Sequence, residues 1–530
     1  MYEHIYIYMH MQFIKKYWFT CLQFLIGFLV VFTHLYHLND IPRGLYLDES
    51  SIGVNAAGIA NSGRDEFGNF LPIYFKAFGE YKNPLYIYLT ALIFKIFGIS
   101  FFTLRLPSFL FFIVALLFVY LLVGKIFSNN KLIKVYTLIG FGFLPHYFNI
   151  SRIAFEVISQ LTFTSLSLLL VYKLFHEKRQ SYVDSSNNLI FKIKNWSQKP
   201  NVLSALIGLS IGTTIYTYTT ARVLSFLFLL SIFLIYWQKE NIRKFISIST
   251  FFLLSLIPFI SFALLVPGGL TARFSEISYI YDPNTSFLFK LAKFTTEYIK
   301  YFSLEYLLAT GDTNLRHTIG YGGLVYGTIF ILFFCGLFYF VHNRKTENRH
   351  FYLLLIVSLF LSVAPAAVTN SDSPHSLRSL LVSLFIFLIS CFGLHFLQKI
   401  EKIRVLSTIM VLLVCLEAGQ YVNYFFDKYP EKSKDAMGSY GLESALKKVA
   451  TQNPQKVIMT DTMWQGKTLL EFAKLVVADD KISKTYISKP IPQSNTCIIF
   501  QPSDLNELNK YSLSYKDLSD PDWFVRLRCY

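Results

Sequence analysis

The chain has 530 residues, of which 53% are hydrophobic, 18% aromatic and only 15% charged, against roughly 25% charged in an ordinary soluble domain. With a mean hydropathy of +0.43, this excludes a disordered chain, a collagen-like fibre and a small disulfide scaffold, and leaves a multi-pass membrane protein as the class to expect. The net charge is +16, and its placement along the chain decides between nucleic acid, anionic lipid and membrane topology as its cause.

About eleven apolar runs are expected to span: 18–36, 105–123, 135–149, 157–172, 202–217, 221–236, 246–266, 320–341, 351–369, 379–396 and 405–420. A hydrocarbon core asks for about 20 residues of helix, and fewer where the protein thins the bilayer. The first run is long and poor in small cleavage-site residues, so it is expected to remain as an anchor. With a cytoplasmic N-terminus, the inner segments are 1–17, 124–134, 173–200, 237–244, 342–350 and 397–404. They carry 20 Lys/Arg and 6 Asp/Glu, whereas the outer loops and spans up to residue 420 carry 14 of each. Nearly all of the basic excess therefore lies in short loops on one side, which is the positive-inside pattern. No nucleic-acid partner is expected. The expected location is the plasma or inner cell membrane.

The outer loops hold the polar chemistry. The first, 37–104, places Asp48 and Glu49 side by side just past the first span. Segment 81–99 is short and interrupted by Lys95, and reads as an amphipathic interfacial helix with Pro84 in its first turn. Lys82 stands before that helix, where unsatisfied N–H groups and the dipole favour an anion such as phosphate. Arg105 opens the next span. The later outer loops carry Arg152 and Glu156, then Tyr218 and Arg222, then Arg273 with Asp312, Arg316 and His317, and last His375 and Arg378. Singly, such residues are commonly helix-end anchors. Five loops converging on one face suggest an outward cavity for an anion.

From Tyr421 the composition changes. Charges become frequent and apolar runs shorten to strand length, as in Val457-Ile458-Met459 and Cys497-Ile498-Ile499-Phe500, with amphipathic helices expected at 441–450 and 469–477. The division expected is a membrane part, 1–420, and a small soluble α/β domain, 421–530, which an odd number of spans places outside. Cys21, Cys335, Cys391 and Cys415 fall in spans as packing residues. Whether Cys497 and Cys529 pair is left open by the sequence. No CxxC or HExxH motif occurs, so no metal and no cofactor are expected.

Asp48-Glu49, Lys82-Asn83-Pro84-Leu85, Leu89-Thr90-Ala91, Phe94-Lys95-Ile96-Phe97-Gly98 and Arg105-Leu106-Pro107-Ser108 together resemble glycosyltransferase family 39. That family includes the protein O-mannosyltransferases and is akin to the aminoarabinose transferases of lipid A modification. The resemblance implies an all-α polytopic bundle of the C-type glycosyltransferase fold, with a polyprenyl-phosphate sugar as donor. It also implies Asp48, in the Asp48-Glu49 pair, as catalytic base and Lys82 as a contact to the donor phosphate. Asn83 departs from the usual proline, and Glu156 stands where many relatives have Asp. An inverting transfer needs a carboxylate to take the acceptor's proton and cations to hold the leaving phosphate, roles that Asp48 and Lys82, Arg105 and Arg152 can fill. The acceptor could be protein, lipid or glycan. Two other readings stand beside this one: a transporter or flippase of an anionic lipid-linked substrate, for which Glu417 is the clearest acid within a span, and a polymerase or ligase of lipid-linked glycans.

Overall fold

The computed structural model describes residues 2–177, 199–343, 347–370, 373–452, 454–462, 466–479, 482, 485–489 and 491–530. Parts of the expected inner loops 173–200 and 342–350 lie outside these. Among the described residues up to Asp427, the regular secondary structure is helical apart from one small hairpin. Among the described residues, seven helical stretches are long and apolar enough to cross a membrane: Tyr17–Leu35, Phe101–Ile126, Ile158–His176, Lys239–Leu265, Arg349–Ala367, Leu381–Lys399 and Glu401–Asp427.

The other four expected spans are shorter helices, and local chemistry explains why. The run at 135–149 breaks into Lys131–Gly142 and Pro145–Ile150, because Leu144, before a proline, is driven to an extended conformation. The run at 320–341 starts only at Gly327, since Gly320 and Gly322 hold positive φ and keep the preceding segment out of the helix. Runs 202–217 and 221–236 become Pro200–Thr214 and Ala221–Ile235.

The interfacial helix forms as Pro84–Phe97, with Pro84 in its first turn and Gly98 closing it. Tyr86, Ile87, Thr90, Ala91 and Phe94 are buried on one face, while Leu92, Ile96 and Phe97 stand exposed on the other, as a helix lying along an apolar boundary requires. A hairpin, β1 (Phe75–Ala77) and β2 (Glu80–Lys82), leads into it.

The C-terminal region carries a five-stranded sheet in the order β4-β3-β5-β7-β6. β3 (Lys456–Thr460) lies parallel to β4 (Tyr486–Ser488) and β5 (Thr496–Phe500), while β7 (Arg526–Cys529) runs antiparallel to β5 and to β6 (Lys516–Asp517). Helices Leu442–Gln452 and Gly466–Val477 cover it, packing Leu446, Val449 and Leu470 on Met459, Ile499 and Leu527. Cys497 and Cys529 are register partners across β5 and β7 and form a disulfide. The last span runs on to Asp427, seven residues past the expected boundary.

This region is seated on the loop that carries Asp48. The Ser439 hydroxyl donates to Leu45 O and accepts from Leu45 N. Phe472 packs so closely on Gly53 that a Cβ there would lie 2.2 Å from its ring. Gly44, at φ +89°, lets the loop pass within 2.8 Å of Tyr440 N in the same sense.

Candidate active site

Helix Leu47–Ser62 starts at Tyr46, and its first turn contains Asp48 and Glu49. Adjacent positions on a helix point about 100° apart, so the two carboxylates have different surroundings. Glu49 is fully buried. It accepts from Arg105 Nε at 3.0 Å and Nη2 at 3.3 Å, from Ala154 N at 3.0 Å, and from Tyr46 N at 3.1 Å. Asp48 is a third exposed and faces a cavity of about 650 Å³.

Lys82, at the end of β2, reaches Asp48 with Nζ 2.6 Å from Oδ1, its own side chain almost wholly buried. Burial disfavours the ammonium, but the Asp48 carboxylate, then Glu156 and Glu80, more than offset this and raise its pKa. Glu156 is held by Asn83, whose backbone N–H and side-chain amide each donate at 2.8 Å. A proline at 83 would have no N–H to give, so the backbone contact to Glu156 depends on a residue other than proline there. Burial pushes the Glu156 carboxyl up to about 7, against the pull of Lys82 and of Asn83.

The other walls come from the later loops. Arg222 donates to Leu270 O at 2.7 Å and to Asn83 Oδ1 at 3.2 Å, and its guanidinium lies over Tyr74. Arg273 pairs with Glu276 at 2.8 Å and stands 3.6 Å from Glu80. Arg316 stacks 4.0 Å above the ring of Tyr46, and Arg378 donates to Thr369. Tyr218, His317 and His375 also line the space. Asp312 lies behind it, accepting from His317 Nδ1 at 2.9 Å and from Ser376 N at 2.8 Å. Burial would raise the Asp312 pKa, but the His317 hydrogen bond and charge hold it well below the usual carboxylate range. Five cations, Lys82, Arg222, Arg273, Arg316 and Arg378, thus face three carboxylates, Asp48, Glu80 and Glu156. The balance favours an anionic ligand.

Besides Asp312, three expected site residues are placed outside the cavity lining. Arg105 is buried and, besides Glu49, donates to Leu38 O, Pro42 O and Gly44 O at 3.2, 3.0 and 2.6 Å. Arg152 donates to Thr33 O, His34 O and Tyr36 O, each at 2.7 Å. These carbonyls end the first helix and turn the following loop, and they have no helical partner of their own. A charged donor meets that need. Arg105 and Arg152 therefore brace the loop that carries Asp48 and do not line the cavity, and Glu49, also outside its lining, is the partner of Arg105. Conversely, Tyr46 and Glu80 line the cavity without having been singled out. Their only signal was adjacency to Asp48 and Lys82.

A family profile described as dolichyl-phosphate-mannose-protein mannosyltransferase matches residues 81–185, about a fifth of the chain and the part that contains Lys82, Arg105 and Glu156. No curated protein matches by sequence. By structure, the chain is similar to ArnT from Cupriavidus metallidurans. The apo form gives a TM-score of 0.55 at 11% identity, over 96% of this chain and 97% of that one. The form bound to undecaprenyl phosphate gives 0.54 at 11% identity, over 97% and 98%. An Archaeoglobus fulgidus oligosaccharyltransferase tethered to an acceptor peptide gives 0.51 at 12% identity, over 90% of this chain and 65% of that one. The fold is that of the C-type glycosyltransferases. With the family match on the first-loop segment, it defines the class as a multi-pass membrane glycosyltransferase. Within that class, the match covering Lys82-Asn83-Pro84-Leu85 is to the mannosyltransferase family that the first-loop motifs resemble.

Proposed function

We infer that the protein moves a sugar from a polyprenyl-phosphate donor to an acceptor on the extracytoplasmic face, with inversion at the anomeric carbon. The observation that carries this is the Asp48–Lys82 pair, 2.6 Å apart, in a cavity with a cationic majority. A donor phosphate entering the cavity competes with Asp48 for Lys82. Once Lys82 turns to the phosphate, Asp48 is free to accept a proton. The acceptor oxygen then attacks C1, its proton passes to Asp48, and the C1–O bond breaks. The leaving polyprenyl phosphate keeps the bonding pair, and Lys82, Arg222 and Arg316 hold its charge. No nucleotide takes part, which suits a site outside the cytoplasm.

In this reading the N-terminus is cytoplasmic, and the membrane part up to about residue 420 carries the chemistry. Residues 421–530 lie outside and brace the first loop. The lipid nature of the donor also agrees with the undecaprenyl phosphate complex of ArnT. The acceptor is a protein, lipid or glycan nucleophile. Transport is less well supported. Glu417, the acid that motivated it, receives the backbone N–H of Thr328 and so caps the start of helix Gly327–His342 without lining the cavity.

The test is to incubate purified protein with a panel of synthetic polyprenyl-phosphate sugars and an envelope extract as acceptor source, and to measure free polyprenyl phosphate and glycosylated product. Translocation in proteoliposomes with no covalent product for any donor would overturn the assignment.

A further inference from the structure

Asp312, His317 and His375 form, among the described residues, the one group of three such side chains whose donor atoms converge, all within 4.8 Å of one another. His317 Nδ1 lies 2.9 Å from Asp312 Oδ2 and His375 Nδ1 lies 3.9 Å from the same oxygen. The two rings face each other at 4.6 Å between centroids.

A second observation is independent of this convergence. His375 is only 7% exposed, and its Nδ1 is buried without a hydrogen-bond partner. A buried, unpaired ring nitrogen carries a real desolvation cost, and this one points at a carboxylate. The carboxylate is itself positioned: Ser376 N and Oγ donate to Oδ2, and Asn314 N donates to Oδ1 at 2.9 Å. His375 is tied through its backbone N–H to the Tyr301 hydroxyl. Such outer contacts are what fix metal ligands in orientation.

We propose that Asp312, His317 and His375 bind a first-row divalent cation of the zinc class, with the open coordination position turned into the cavity. Two imidazoles and one carboxylate suit zinc, and three protein ligands with one open position is the arrangement of reactive zinc sites. Ligand atoms around four-coordinate zinc stand about 3.3 Å apart for bonds of about 2.0–2.1 Å. Relative to Asp312, His375 therefore has to close and His317 to open by about half an ångström, and the widest donor separation, 4.8 Å, has to close by about 1.5 Å. On binding, His317 moves its ring proton from Nδ1 to Nε2, so its Nδ1 lone pair meets the metal. His317 and His375 line the cavity whereas Asp312 lies behind them, so the fourth position faces the ligand space. Arg316 and Arg378 stand nearby and oppose any dication held by charge alone. The nitrogen ligands therefore select zinc over magnesium. In the transferase reading on which this last step rests, the open position receives a phosphate oxygen of the donor.

The test reads metal directly, so it is separate from transfer activity. Full-length protein in detergent is stripped with chelator, equilibrated with zinc chloride alone, freed of excess by gel filtration and analysed by mass spectrometry of metals. Cobalt(II) loading of the same sample is followed by visible absorption. We expect about one equivalent of zinc and the intense visible bands of a four-coordinate cobalt site, neither reduced by excess magnesium. His375→Gln and Asp312→Asn should each lower bound zinc at least about tenfold. His37→Gln, at the exposed His37–Asp40 pair, should not. Wild-type protein without zinc or without the cobalt bands would overturn the proposal. So would loss of zinc in His37→Gln, or retention in both His375→Gln and Asp312→Asn. If these variants do not elute as folded protein, the wild-type cobalt spectrum decides.

Discussion

Replacing Asp48 with Asn tests the proton acceptor while leaving its geometry in place. The amide keeps the size of the side chain and an oxygen for Lys82 Nζ, now at 2.6 Å from Asp48 Oδ1, but it cannot take a proton. Loss of a general base costs about 10²–10⁴ in rate, or about 3–5.5 kcal/mol of barrier. The ion pair adds a second, opposite effect. At 2.6 Å and an effective dielectric of about 20, the bare attraction is roughly 6 kcal/mol. Asp48 is a third exposed, so the net worth lies between about 1 kcal/mol for an open pair and about 3–5 kcal/mol for a closed one. Freed from that partner, Lys82 is more available to the donor phosphate. We therefore expect kcat to fall about 10²–10⁴-fold while the donor KM stays within about threefold or decreases. Lys82→Met should instead raise donor KM at least about tenfold, and the double variant should depart from additivity because the two groups touch. The assay is the initial rate of polyprenyl phosphate release against donor concentration. A kcat for Asp48→Asn within about tenfold of wild type, or a loss confined to KM, would refute the argument.

Arg105→Met should act on folding. It strands buried Glu49 and three carbonyls, at about 3–5 kcal/mol, so the folded fraction by size-exclusion chromatography drops while the donor KM of what folds stays within about twofold. A tenfold rise in KM with intact folding would put Arg105 in the site. For pH, Glu156 has a folded pKa of about 7 against an ordinary 4.5. Its contribution to stability is complete below the ordinary value and is lost as pH rises through about 7. The new carboxylate also repels the donor phosphate, so donor KM should rise several-fold between about pH 6 and pH 8, and Glu156→Gln should flatten that profile. Replacing both Cys497 and Cys529 by Ser opens a link across a separation of 32 residues, worth about 3–4 kcal/mol in the loop-entropy account. Limited proteolysis within 456–529 should quicken, and an unchanged half-life would contradict this. Gly53→Val should clash with Phe472 and cut transfer at least about tenfold, with partial recovery when Phe472→Ala is added. No recovery would place the damage elsewhere.

Much of the architecture is legible in the sequence, for identifiable reasons. Hydrophobic runs and the one-sided Lys/Arg excess report directly on what lipid and water will tolerate. Pro84 and Gly98 mark the ends of the interfacial helix through the backbone freedom they remove or supply. In the C-terminal region, strands at 456–460 and 496–500 and helices at 442–452 and 466–477 fall within three residues of the expected segments, because short apolar runs and amphipathic helical periodicity stand out once the surrounding chain is polar. The span lengths were less legible. An apolar run does not reveal that Leu144 turns the chain, or that Gly320 and Gly322 delay a helix.

The sequence by itself determined a multi-pass membrane class and the set of charged outer loops, which residue type and spacing carry, and the first-loop resemblance pointed to Asp48 and Lys82; their pairing came with the fold. Only the tertiary structure decided which charges face the cavity and which serve the fold. Arg105, Arg152 and Arg316 look alike in the chain, each beside a helix end. Two of them meet carbonyls left bare at the end of the first helix and in the loop beyond it, and the third meets an aromatic ring at the cavity wall. The demand of buried backbone groups for donors assigns those roles, and it arises only when distant segments have packed together.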